Sequence, residues 1–184
     1  MLLAPFLGMP LPLTALQILY INLVTDGLPG LALGLEPAER DIMRRKPLSP
    51  SASIINRDLG KRILWIGLLM GFVSLGLGYW GWNSDLPSWQ TMLFTTLTLS
   101  QMGNALSLRS RHDSFFKLGI FTNKALLGSV MLTFLLQLLV IYWAPLQSLF
   151  NTQTLNITEL AICLAFSTIV FWAVEIEKLL IRHR

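Results

Sequence analysis

Asn22, Thr25 and Asp26 stand at i, i+3 and i+4 within an otherwise apolar run, in the stretch Ile21-Asn22-Leu23-Val24-Thr25-Asp26-Gly27-Leu28-Pro29-Gly30. On an α-helix this spacing puts an amide, a hydroxyl and a carboxylate on one face, where their oxygens converge. Pro29 has no N–H to give the carbonyl of Thr25, and Gly27 and Gly30 flank it. The pattern predicts a broken helix with a free backbone oxygen beside those side chains. Carboxylate, amide, hydroxyl and carbonyl oxygens without thiol or imidazole suit a hard cation (Ca2+, Mn2+, Mg2+ or an alkali ion) rather than Zn2+ or Cu+. Ca2+ takes roughly six to eight oxygens, more than this stretch supplies. Gln101 and Asn104, at i and i+3 with Ser100 beside them, offer the best second contribution, Asn104 being the weaker candidate. The competing assignment for both groups is a polar network that only fixes helix packing.

The elements that must carry these groups follow from composition. The chain has 184 residues, 53% hydrophobic and 13% charged, with a mean hydropathy of +0.59. A membrane protein is indicated, because soluble domains carry about twice that charge. Runs near the length of about 20 residues that crosses a hydrocarbon core lie at Leu13 to Leu35, Ile63 to Trp82, Trp89 to Leu108, Ala125 to Ala144 and Leu155 to Ile176. The expected fold is an all-α polytopic membrane helical bundle with five full spans plus an N-terminal partial span. Its segments are 1–12, the end of a truncated span and an outer turn; 13–35, a discontinuous ion-site span; 36–62, a cytoplasmic loop; and 63–184, four further spans with a cytoplasmic C-terminus. Gly67, Gly71, Ser74 and Gly78 give the second full span one small-residue face for close helix packing.

All 14 Lys and Arg residues fall at 40–62, 109–124 and 178–184, and the alternate connections contain none. By the positive-inside rule the basic segments are cytoplasmic. Tyr79, Trp80, Trp82, Trp89, Tyr142 and Trp143 cluster at the opposite, outer connections, where amphipathic rings settle. The net charge of +4 therefore needs no nucleic-acid partner; the bilayer and its anionic inner leaflet account for it. Of the 10 acidic residues only Asp26 lies well inside a span, and Glu175, Glu177 and Lys178 read as a cytoplasmic border. An intramembrane carboxylate costs about 2.5 to 3.5 kcal/mol on an insertion scale, which marks Asp26 as functional. The single Cys163 excludes an intramolecular disulfide and a cysteine-based zinc site and reads as a small buried residue. His112 and His183 read as solvated, and Asn156-Ile157-Thr158 is a sequon abutting the membrane. A secretory signal is not expected, since the first basic residue is Arg40 and Pro5 interrupts the opening apolar run.

Asn22-Leu23-Val24-Thr25-Asp26-Gly27-Leu28-Pro29 resembles the sixth-span motif of the calcium-transporting P-type ATPases. Glu36-Pro37, Asp41-Ile42-Met43 and Arg45-Lys46-Pro47 are similar to the cytoplasmic loop that follows it, and Gln101-Met102-Gly103-Asn104-Ala105-Leu106 to the eighth-span motif. The resemblance covers essentially the whole chain, as the end of span five and spans six to ten. It implies that Asn22, Thr25 and Asp26 are ligands of a transported Ca2+, or Mn2+, with Gln101 contributing. Two-site calcium pumps carry a glutamate where this chain has Gln101, which points to one ion per cycle. Asn22, in place of the aspartate of the sodium/potassium branch, favours Ca2+ or Mn2+.

The Asp-Lys-Thr-Gly phosphorylation motif, the nucleotide and actuator domains and the earlier spans are not in these 184 residues. ATP and Mg2+ would be handled there, and the chain alone is not expected to hydrolyse ATP. The implied partners are those remaining spans and cytoplasmic domains, in a cell membrane or endomembrane according to host, with the loop 36–62 coupling them to the ion site. The rival expectations are a stand-alone assembly or regulatory membrane protein, or one half of a split pump. An ion-coupled carrier would predict an internal repeat of the Asn22 to Pro29 motif, and the sequence has none.

Overall fold

The structure is a computed structural model that describes residues 3–36, 57–109, 115, 119 and 121–182. Most of the loop expected at 36–62, and both histidines, lie outside the described residues. Pro5–Leu7 form a single 3-10 turn, closed by Gly8 at φ 74°. The N-terminal piece is thus a folded turn; Ala4 and Met9 pack it against Trp89. Pro5 sits at the start of that turn, where a missing N–H costs nothing, and Pro10 follows at once, so a longer α-helix cannot grow there.

Thr14 starts the first long helix with a reciprocal cap, accepting from Gln17 N at 3.3 Å while its own N–H donates to Gln17 Oε1 at 2.9 Å. Ala15–Tyr20 (α1) then runs into Ile21–Gly27, a π-helical stretch, and on into Leu28–Leu33 (α2). Gly27 keeps right-handed helical angles, φ −66° and ψ −55°. The predicted discontinuity is therefore a change of pitch, not an unwound break. Pro29 falls in the first turn of α2, where the wider i→i+5 pattern before it absorbs the missing N–H.

The chain continues through Arg57–Asn83 (α3), Trp89–Ser107 (α4), Lys124–Tyr142 (α5), Ala144–Phe150 (α6) and Ile157–Arg182 (α7). Asn123 caps α5 by accepting from Leu126 N at 2.8 Å. Asn151, at φ 52°, closes α6 in the left-handed form that asparagine tolerates. Among the described residues four helices are long and apolar enough to cross a membrane: Ala15–Leu33, Leu59–Asn83, Lys124–Tyr142 and Ile157–Leu180. These make the chain an integral, multi-pass membrane protein.

The third expected span, α4, falls outside that set because of its polar content, although it is 19 residues long. Its place explains the composition. α4 packs against α3, α7, α5 and the π stretch, and Thr91, Thr95, Thr96, Thr98, Ser100 and Ser107 are each 1% exposed or less. Two apolar clusters meet on it, one joining Met92, Leu99 and Met102 to Leu77, Leu126 and Cys163, the other joining Leu93 and Phe94 to Tyr20 and Val140. A polar hydroxyl there meets protein instead of lipid: Gln137 Nε2 donates to Thr95 Oγ1 at 3.1 Å, and Gln153 N to Thr91 Oγ1 at 2.8 Å.

The small-residue face of α3 is used at one end only. Ser74 is buried, and a β-carbon on Gly78 would come within 2.5 Å of Leu93 Cδ1 and 3.1 Å of Leu93 Cβ, whereas Gly67 and Gly71 face open space. Gly78→Val should accordingly lower stability by about 1–3 kcal/mol through overpacking, and Gly71→Val should leave it unchanged. Thermal unfolding in detergent measures both, and equal melting temperatures would contradict the close α3–α4 approach.

Candidate cation site

The π stretch decides where its polar side chains go. An i→i+5 helix has more residues per turn than the 3.6 of an α-helix, so i and i+4 stay nearly aligned while i+3 falls behind. Thr25 is accordingly turned inward, 2% exposed, and Asn22 and Asp26 are exposed on the outward face together with Leu19, Leu23 and Leu31. The single convergent face expected for all three residues is not formed. π turns occur often at functional sites, and here the turn separates the carboxylate and amide from the hydroxyl.

Thr25 joins the two predicted groups of donors. Its hydroxyl lies 2.5 Å from the carbonyl of Ile21 and also pairs with the side-chain amide of Gln101 on α4. A hydroxyl has one proton. It therefore donates to one of two oxygens at a time, the Ile21 carbonyl or Gln101 Oε1. Asn104, one turn further along α4, has a buried Oδ1 with no hydrogen-bond partner among the described residues. The structure thus brings Thr25 and Gln101 together, leaves Asn104 Oδ1 unsatisfied nearby in sequence, and presents Asn22 and Asp26 to the outside of the bundle.

Among the described residues no group of three or more His, Cys, Asp or Glu is placed to hold a metal ion. The oxygens present are one carboxylate and neutral amide, hydroxyl and carbonyl groups, donor types that suit a hard cation.

Two polar clusters were not legible as such in the sequence. Glu175 and Lys178, read only as a cytoplasmic border, are 3% and 1% exposed and paired at 2.8 Å, with Glu175 also accepting from Phe115 N at 3.2 Å. Their i, i+3 spacing was the available signal. Just past the C-terminal end of α2, Glu36 meets Arg109 and Asn123, residues 73 and 87 positions away. Asn123 alone was readable, as the cap before an apolar helix.

A multi-pass helical membrane protein with oxygen donors in mid-helix is the class that fold and site define. The family described as "Cation transporting ATPase, C-terminus" matches residues 10–180, and the chain belongs to that family. It is 38% identical over 172 residues to a calcium-transporting ATPase of Bacillus subtilis, covering 92% of this chain and 19% of that protein. It is 36% identical over 185 residues to the human calcium-transporting ATPase type 2C member 1, covering 99% of this chain and 20% of the relative. With calcium-transporting ATPase 1 of Saccharomyces cerevisiae the identity is 34% over 179 residues, covering 96% of this chain and 19% of the relative. The chain spans about one fifth of the length of these relatives.

Thr25→Val removes the hydroxyl that Gln101 and the Ile21 carbonyl share, and should cost about 1–3 kcal/mol of stability, while Thr25→Ser should restore most of it. Adding Gln101→Leu to Thr25→Val should recover part of the loss, with a coupling of about 0.5 kcal/mol or more. Detergent unfolding of the four-variant cycle checks this, and strictly additive effects would mean the two side chains do not act on each other.

Proposed function

We propose that this chain is the C-terminal membrane region of a calcium pump and supplies one wall of its intramembrane ion site. Asn22 and Asp26 give a transported Ca2+ an amide oxygen and the single negative charge. Thr25 and Gln101 form the adjoining neutral wall, and Asn104 is the weaker contributor. Mn2+ satisfies the same oxygen set and is the alternative cargo. In support, relatives that match nearly the full chain are named calcium-transporting ATPases.

The observation that carries the assignment is the outward position of Asp26 on a π turn, with Asn22 beside it. A carboxylate facing hydrocarbon is costly, and such groups face bundle interiors or water-filled cavities. Further spans of the same pump would cover that face and complete the cation's oxygen shell. Five crossings are then counted, with α4 as the buried fifth, preceded by the end of an earlier span. The basic segments and the C-terminus lie on the cytoplasmic side, where ATP and Mg2+ are bound by the pump's other domains. The loop 36–62 lies on that side, between the ion site and those domains.

Asp26→Asn in the intact pump should abolish Ca2+-dependent phosphorylation by ATP, and Asn22→Ala should shift it to higher Ca2+. Phosphorylation of the Asp26 variant with unchanged Ca2+ dependence would overturn the ligand assignment.

A further inference from the structure

The inner end of the site-bearing helix is tied down by a cluster that the ion-site assignment does not use. Arg109, just past α4, grips Glu36 as a fork: Nε lies 3.0 Å from Oε1 and 3.2 Å from Oε2, and Nη2 lies 2.8 Å from Oε1. Arg109 Nη1 donates to the carbonyl of Gly119 at 2.9 Å. Asn123 Nδ2 donates to Glu36 Oε2 at 2.7 Å and to the carbonyl of Ala32 at 3.0 Å, while Asn123 Oδ1 caps α5. The Ala32 carbonyl belongs to the last turn of α2, where it also accepts from Leu35 N at 3.2 Å. The side chains of Arg109 and Glu36 are 1% and 15% exposed, so water competes little for either charge.

This cluster is more than a helix end-cap, because of where its two ends lie. α4 now touches the site-bearing helix through polar contacts at two levels, Thr25 with Gln101 and Glu36 with Arg109. Thr25 and Glu36 are eleven positions apart, with the end of the π stretch, α2 and the turn at Gly34 and Leu35 between them, so the two contacts lie at opposite ends of α2. Apolar side chains packed in lipid resist sliding weakly, since lipid tails are as apolar as the helix surface. A buried bidentate ion pair resists it strongly, because the fork fixes both distance and orientation. Together with the neutral Thr25–Gln101 hydrogen bond at the other level, it opposes both sliding and rotation. A shift at Glu36 would therefore displace Asp26 and Asn22 relative to Gln101.

We propose that Glu36, Arg109 and Asn123 are positioning residues that hold the site-bearing helix in register with α4 and α5 and thereby set the cation affinity of the intact pump. The proposal rests on the ion-site assignment made above. Asn123 makes the register a three-helix property: the same side chain caps α5, adds a second donor to the Ala32 carbonyl of α2 and braces Glu36. The clasp contacts no ligand residue, so it acts on how well the donors meet around the ion and not on their identity.

The test is made in the intact pump, reading phosphorylation by ATP as a function of Ca2+, the maximal level at saturating Ca2+, and the ATP dependence. Glu36→Gln and Arg109→Gln should each raise the half-maximal Ca2+ by about tenfold, the equivalent of a charged hydrogen bond. Maximal phosphorylation per folded pump and the ATP dependence should stay as in the parent. Arg109→Lys, which keeps the charge and loses the fork, should shift it by less. The double variant Glu36→Gln/Arg109→Gln should be no worse than the worse single. If Glu36→Gln does not reach the membrane, Arg109→Lys carries the measurement.

An unchanged half-maximal Ca2+ in variants present at parental levels would overturn the proposal, as would a loss confined to the amount of folded pump. Asp26→Asn is run in parallel to separate the two claims. If it is inactive while Glu36→Gln and Arg109→Gln keep the parental Ca2+ dependence, only the clasp falls. If it keeps the parental dependence, the ion-site assignment falls and takes the clasp with it.

Discussion

Hydrocarbon offers no hydrogen bond, so every polar group a chain carries to membrane depth must be met by protein or by water held within protein. That constraint sorts the helices of this structure. α4 has the most hydroxyl and amide side chains and is surrounded by α3, α5 and α7, while the more apolar helices expose Leu, Ile and Trp side chains around it. Gln137 reaches Thr95, Gln153 reaches Thr91, and Thr25 reaches Gln101 across the interfaces this creates. Asp26 is exposed in the structure, and the proposed assignment meets the same rule by covering its face with further spans of the pump.

The π stretch is the local device that allows one helix to serve both sides. A regular α-helix would hold Asn22, Thr25 and Asp26 together and commit all three to a single environment. Widening the turn over Ile21–Gly27 rotates Thr25 into the bundle and keeps Asn22 and Asp26 aligned outside. The hydroxyl anchors the helix on α4 while the carboxylate stays available. Pro29 and the two glycines make the departure affordable, because the backbone there has one donor fewer to satisfy and no bulky side chain at Gly27 or Gly30.

What could be read in the sequence was the oddity, and what could not was the pitch. An amide, a hydroxyl and a carboxylate among leucines beside Gly and Pro are visible as residue types, so the helix proposed to carry the site stood out from the others. The direction of Thr25 was not, because i, i+3 geometry presumes 3.6 residues per turn. α4 was recognised as a helix by its length, but its central place follows from contacts that hydropathy along one chain does not contain. Glu36 fell in the loop 36–62 and Arg109 in a basic segment, and Asn123 was given no role. Ion pairs between residues 73 positions apart leave no periodic trace, whereas the Asn123 cap acts three residues ahead and does. Gly67 and Gly71 were grouped with Gly78 by spacing alone, and only Gly78 meets a neighbour closely.

The central claim is that Asp26 and Asn22 form a wall of the ion site, closed by protein beyond these 184 residues. The most direct measurement is an experimental structure of the intact pump with bound Ca2+. The account predicts a Ca2+ about 2.3–2.6 Å from an Asp26 carboxylate oxygen, with the Asn22 side chain in the same shell and Gln101 adjoining it. A bound Ca2+ whose shell contains neither Asp26 nor Asn22 would contradict it.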